Sequence, residues 1–128
     1  MRLWHQSLIK KLPRQQLLGQ HRECCALRGN GWGKKHATVD YVFKYPPEYL
    51  VAFHDHVMYE MHKRGYKVDT AWQKSHYRGK LCSSSWFIDY DIWLNAYTSD
   101  IIYPEHNDAY LHECLENLKS KGVIIDDY

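Results

Sequence analysis

The sequence predicts an all-α fold: a single compact domain, residues 1–128, of three main helices joined by long loops and preceded by an extended N-terminus. Three observations predict it. Apolar residues recur at steps of three and four in three stretches, each stretch is bounded by proline and glycine, and nowhere do two alternating runs flank a hairpin turn. A chain of 128 residues and 15.4 kDa holds one core.

The first helix opens at Pro13, carries Leu17, Leu18, His21, Cys24, Cys25 and Leu27 along one stripe, and stops at Gly29. Its other side is polar, with Gln16, Gly19, Gln20 and Glu23 and with Arg22 beside them, and Gly19 there leaves room for close approach. That side is the candidate site face. The second helix follows Pro46 and Pro47, places Glu48 in its first turn, and repeats Leu50, Phe53, Val57 and Met61 until Gly65. The third starts near Pro104 and Glu105, repeats Leu111, Cys114, Leu115 and Leu118, and ends near Gly122 after Lys119 and Lys121. Between residues 66 and 103 the pattern is ambiguous. Trp86, Tyr90, Trp93, Leu94 and Tyr97 fit a helix, while Trp86, Ile88, Tyr90, Ile92 and Leu94 fit a strand, so irregular structure with room for one short helix is expected.

Composition excludes several classes. With 45% apolar and 25% charged residues the chain is neither a disordered tail nor a fibrous rod, and no repeat of 20 to 50 residues suggests a solenoid. No apolar run is long enough to span a membrane, and the N-terminus lacks a signal-peptide pattern, so a cytoplasmic location with four reduced cysteines is expected. Charge is split along the chain. Residues 1–80 carry 15 Lys+Arg against 6 Asp+Glu, whereas residues 81–128 carry 2 against 9. The basic part either meets a polyanion or pairs with the acidic part across the fold.

Nine histidines and four cysteines invite a metal site, but the spacing argues against one. His54 and His56 point to different sides of a helix, and Cys24 and Cys25 are adjacent, so no metal and no cofactor is expected. The segment Gly29-Asn30-Gly31-Trp32-Gly33-Lys34-Lys35-His36 has neither the glycine spacing of a P-loop nor a hydroxyl residue after its lysines. It suits a nucleic-acid backbone better, with Lys34 and Lys35 on phosphates and Trp32 to stack or wedge; the plainer alternative is a connection whose glycines serve turns. Arg14, Arg22 and Arg28 line the first helix, where guanidinium forks suit phosphate oxygens and local ion pairs alike. Glu23 stands among them.

The run MRLW, then LPRQQLLGQHREC, then GWGKKH, then HKRGY resembles the pyrimidine-dimer DNA glycosylase family, in its bacterial branch. The resemblance is strongest over the first helix, where Leu12, Gln15, Leu17, Arg22 and Glu23 keep the family spacing, and fades past Lys67. It implies a three-helix fold and an enzyme that cuts the glycosidic bond at ultraviolet-induced pyrimidine dimers, then nicks the abasic strand. It further implies that the chain's own α-amine attacks the sugar C1′, expels the base and forms a Schiff base that permits β-elimination. The glutamate of the Arg-Glu pair stabilises the cationic sugar and moves protons. In this chain the roles fall to the Met1 amine and Glu23, with Arg2 and Arg22 on phosphates.

An α-amine, with a pKa near ~7.7, is unprotonated at neutral pH far more often than a lysine. Arg2 is too bulky for the usual removal of an initiator methionine, so Met1 is expected to remain. The tail Val123-Ile124-Ile125-Asp126-Asp127-Tyr128 departs from the aromatic and basic tail of the family's best-known member, which leaves stacking to Trp32, Trp72, Tyr77 or Trp86. The expected partner is damaged double-stranded DNA, bound by a monomer. The alternatives are a non-catalytic nucleic-acid-binding domain that kept the fold, and an interaction protein whose charged halves dock other proteins.

Overall fold

The computed structural model describes residues 2–35 and 37–125, and Met1, His36 and residues 126–128 lie outside them. Four α-helices and three 3-10 turns, with no strand among the described residues, make the architecture all-α. They are α1 (Arg14–Arg28), α2 (Pro47–Lys63), α3 (Tyr90–Tyr97) and α4 (Asp108–Ser120).

Proline and glycine set the boundaries for steric reasons. Pro13 adopts φ −59° and ψ 161° ahead of α1, and the chain leaves that helix at Gly29, whose N–H donates to Cys25 O at 3.1 Å. No side chain fits at Gly29, because an ideal Cβ would stand 2.8 Å from the Arg78 carbonyl oxygen. The last turn of α4 closes through Gly122 at φ +81°, with Val123 N–H donating to Leu118 O at 2.9 Å.

Helix α2 is the hub and packs against both α1 and α3. Leu50, Val51, Ala52, Phe53, His54, Val57 and Met61 are all buried, so apolar surface is removed from water around most of its circumference, at about 1.5–3 kcal/mol for each large side chain. Glu48 in its first turn accepts the Asp89 N–H at 2.8 Å and joins the start of α2 to the start of α3.

The one short helix for which residues 66–103 had room is α3. Its cause is Asp89, whose Oδ1 accepts from Asp91 N–H at 2.9 Å and Ile92 N–H at 3.1 Å, a cap that decides between two periodicities the aromatic residues fit equally.

The N-terminal segment is not extended throughout, because a 3-10 turn at Gln6–Leu8 and the turn residues after it coil the chain before α1, and it forms part of the core. Leu3, Leu8 and Leu12 are fully or almost fully buried. Arg64 ties this arm to the end of α2, donating to Leu12 O at 2.7 Å and Lys10 O at 3.0 Å while its Nε holds Glu60 at 2.7 Å. Helix α4 meets the arm through Tyr110, whose hydroxyl donates to the Leu3 carbonyl.

Candidate functional site

The polar side of α1 faces the N-terminal arm, and one side chain organises the meeting. Gln20 is 1% exposed and spends its amide on backbone and on Glu23. Its Oε1 accepts Trp4 N–H at 2.6 Å, and its Nε2 donates to Arg2 O at 3.0 Å and to Glu23 Oε2 at 3.2 Å. The same Glu23 oxygen accepts the Arg2 backbone N–H at 3.2 Å. A three-residue step along α1 places Gln20 and Glu23 on one face, so the carboxylate and the start of the chain are held together by a buried amide. Met1, the expected nucleophile, lies outside the described residues.

A second layer fixes the arm from behind. His106 accepts Gln6 N–H on Nδ1 at 3.0 Å, so its Nε2 carries the proton and donates to the Tyr41 hydroxyl at 2.7 Å. Burial keeps His106 neutral, lowering it to about 3.

The expected phosphate contacts fall into two groups, exposed and buried. Arg22, Lys34 and Lys35 are exposed, and Arg14 is exposed with its guanidinium 5.0 Å above the Tyr66 ring. Arg2 is mostly buried and donates to Glu113 Oε2 at 2.9 Å. Trp32 is half-buried, meeting Phe43 edge-on at 5.0 Å and Trp86 at 5.1 Å.

Arg28 does not belong to the phosphate set, and that expectation is corrected. It is 0% exposed. Its Nη1 donates to Trp72 O at 3.1 Å, and its Nη2 donates to Lys74 O at 2.9 Å, Ser75 O at 3.3 Å and Tyr77 O at 2.8 Å. The segment after α2 turns its carbonyls inward, and a guanidinium is the one side chain with enough donors to satisfy them. Trp72 and Tyr77 are drawn into the same arrangement, with Trp72 5.2 Å from Arg28 and edge-on to Tyr77 at 4.8 Å.

Sequence spacing missed a convergence across two helices. His21 and Cys25 on α1 meet His54 on α2, with their ligand atoms within 4.8 Å of one another. The second shell decides what this cluster does. A metal-bound histidine donates its remaining ring N–H to an oxygen, whereas His54 Nδ1 faces the Arg28 Nη1 donor at 3.0 Å. The His54 proton therefore sits on Nε2 and points at His21 Nδ1, 2.8 Å away. The cluster is wired as a hydrogen-bond chain from Arg28 through His54 to His21, and the lone pair a cation would need is occupied. Burial, then the Arg28 charge, pushes His54 far below its usual value, in keeping with a neutral ring. Burial also pushes the Cys25 thiol up to about 12. His56 turns away from this cluster and meets Tyr97 O at 2.8 Å.

The first 74 residues contain the Gln20-Glu23 clamp and the buried Arg28 chain as far as His54. A family model described as pyrimidine dimer DNA glycosylase matches residues 1–74. No curated protein and no solved structure matches the chain.

Proposed function

This chain belongs to the pyrimidine dimer DNA glycosylase family, and we propose that it cuts the glycosidic bond at ultraviolet-type pyrimidine dimers or related base lesions in duplex DNA and then opens the abasic strand with its own N-terminal amine. The observation that supports this reading is the 3.2 Å bond from the Arg2 backbone N–H to Glu23 Oε2, reinforced by the Gln20 amide. The amine that the reading calls on belongs to the residue that precedes Arg2 in the sequence.

The unprotonated amine attacks the sugar C1′, the C1′–N1 bond breaks, and the base leaves with the bonding pair and is protonated. Ring opening gives an iminium between the chain and C1′. Loss of a C2′ proton then expels the 3′ phosphate by β-elimination. Glu23 stabilises the cationic sugar and carries the protons. No step calls on a metal or cofactor. Exposed Arg22, Arg14, Lys34 and Lys35 hold phosphates, and Arg2 serves to anchor the arm through Glu113. The target nucleotide leaves the stack before C1′ is reached, which costs least at a damaged step.

Glu23→Gln tests the reading. The amide keeps the size and one acceptor, so duplex binding stays while strand cleavage falls by about 100-fold or more. Cleavage at the parental rate removes Glu23 from the mechanism. A chain that only binds DNA, the alternative class, shows no cleavage for the substitution to remove.

A further inference from the structure

The segment just beyond the family match carries two large apolar side chains in water. Leu81 is 91% exposed and Phe87 is 90% exposed, more than any other large apolar residue described. Exposed apolar side chains on a loose loop need no explanation, but this loop is braced. Trp86 N–H donates to His76 O at 3.1 Å and closes its base. Arg78 donates to Arg28 O at 2.7 Å, Gly29 O at 3.1 Å and Ser84 Oγ at 2.7 Å, and its guanidinium lies 4.6 Å over the Trp86 ring. Trp86 is seated against Trp32, while its neighbour Phe87 stands in solvent.

The same contacts fix where the loop lies. Through Arg78 and Trp86 it abuts the turn after α1, whose Lys34 and Lys35 are exposed. No acidic residue falls between Glu23 and Asp40 or between Asp69 and Asp89, while exposed Lys34, Lys35, Lys74 and Lys80 fall within these stretches; Asp89, whose N–H donates to Glu48, closes the second one. Exposed lysines beside bare Leu and Phe side chains suit a phosphate backbone with a base step between, and the excess of lysines over carboxylates along these two segments favours DNA over a protein face. We infer that Leu81 and Phe87 form an apolar wedge that enters the damaged duplex and unstacks the bases at the lesion. The inference rests on the DNA-repair reading and extends it to residues outside the family match. It also gives stacking to side chains other than the four aromatics the sequence suggested.

The test uses the full chain and two duplexes carrying 2-aminopurine, one undamaged and one with the fluorophore beside a stable abasic-site analogue. Parental protein should raise 2-aminopurine fluorescence on the abasic duplex. Leu81→Ser/Phe87→Ser, at fully exposed positions, should keep its melting temperature and its affinity for undamaged DNA but lose the fluorescence rise. It should also lose about tenfold in preference for the abasic duplex. Phe87→Leu, which keeps an apolar tip, should retain most of the rise. Lys34→Ala/Lys35→Ala should instead weaken both duplexes alike and flatten the salt dependence. A double serine variant that unstacks the duplex as the parent does overturns the wedge and leaves the two side chains to a protein-facing surface. Parental protein with no salt-dependent affinity for either duplex overturns the DNA-repair reading itself, a distinct outcome.

Discussion

Arg28 donates through Nη1 to Nδ1 of His54 across 3.0 Å, between two helices and away from solvent. A basic side chain that by composition looks ready for a phosphate is thus part of the scaffold, and the tautomers of His54 and His21 follow from it. Arg28→Met leaves the carbonyls of Trp72, Lys74, Ser75 and Tyr77 without their donor. A loss of about 3 kcal/mol in unfolding free energy is expected, with Arg28→Lys restoring little because an ammonium cannot span the set. Denaturant unfolding checks the stability, and the salt dependence of duplex binding by the folded fraction should keep the parental slope. A reduced slope would return Arg28 to the interface.

Gln20 separates a structural from a catalytic loss. Gln20→Ala removes the amide shared by Trp4, Arg2 and Glu23, at about 1–2 kcal/mol of stability. Under the proposed amine mechanism, in which Gln20 orients Glu23, single-turnover cleavage should fall about 100-fold while the duplex dissociation constant moves less than about threefold. Equal losses in binding and cleavage would contradict the positioning role.

Two buried groups pull stability in opposite directions with pH. Burial lowers His106 from 6.5 to about 3. The unfolded chain therefore takes up a proton the fold refuses, and the His106 contribution is complete above pH 6.5 and gone below about 3. Burial raises Asp55 from 3.8 to about 6, against the opposing Trp93 N–H at 2.8 Å. Its contribution is present below pH 3.8 and lost as pH rises through about 6. Between these limits the slopes oppose. Asp55→Asn, which keeps an acceptor for Trp93, should steepen the acid loss of stability by about 1.4 kcal/mol per pH unit between about pH 4 and 6. Parallel curves for parent and variant would show that Asp55 titrates normally.

Gly29→Ala places a methyl group where the Arg78 carbonyl already stands, 2.8 Å from an ideal Cβ. Backbone must move, and Arg78 holds that backbone through Gly29 O and Arg28 O. A loss of about 1–3 kcal/mol is expected in thermal unfolding. An unchanged melting temperature would mean that the two segments are not in contact.

Much of the helical framework was legible because proline and glycine punctuate it: Pro13 to Gly29, Pro47 to Gly65 and the stretch before Gly122 all appear as helices. The stretch around Trp86–Tyr97 was not, because its aromatic residues satisfy both a helical and an alternating period, and the tie-breaker was the single cap at Asp89. The polar face with Gln20 and Glu23 was readable from spacing on one helix. Arg28 was misread since nothing in its own segment reveals that carbonyls from Trp72 to Tyr77 turn inward to meet it. The His21–His54 contact likewise depends on how two helices pack, which no one-helix spacing encodes.

The central claim is that the chain's first amine is the nucleophile, and borohydride trapping tests it most directly. Tag-free protein is incubated with an abasic-site duplex and with a pyrimidine-dimer duplex, reduced, and the cross-linked peptide located by mass. The account predicts a covalent adduct on Met1 with both duplexes, abolished when the N-terminus is extended and sharply reduced in Glu23→Gln. DNA binding without any adduct, or an adduct on a lysine, would contradict it.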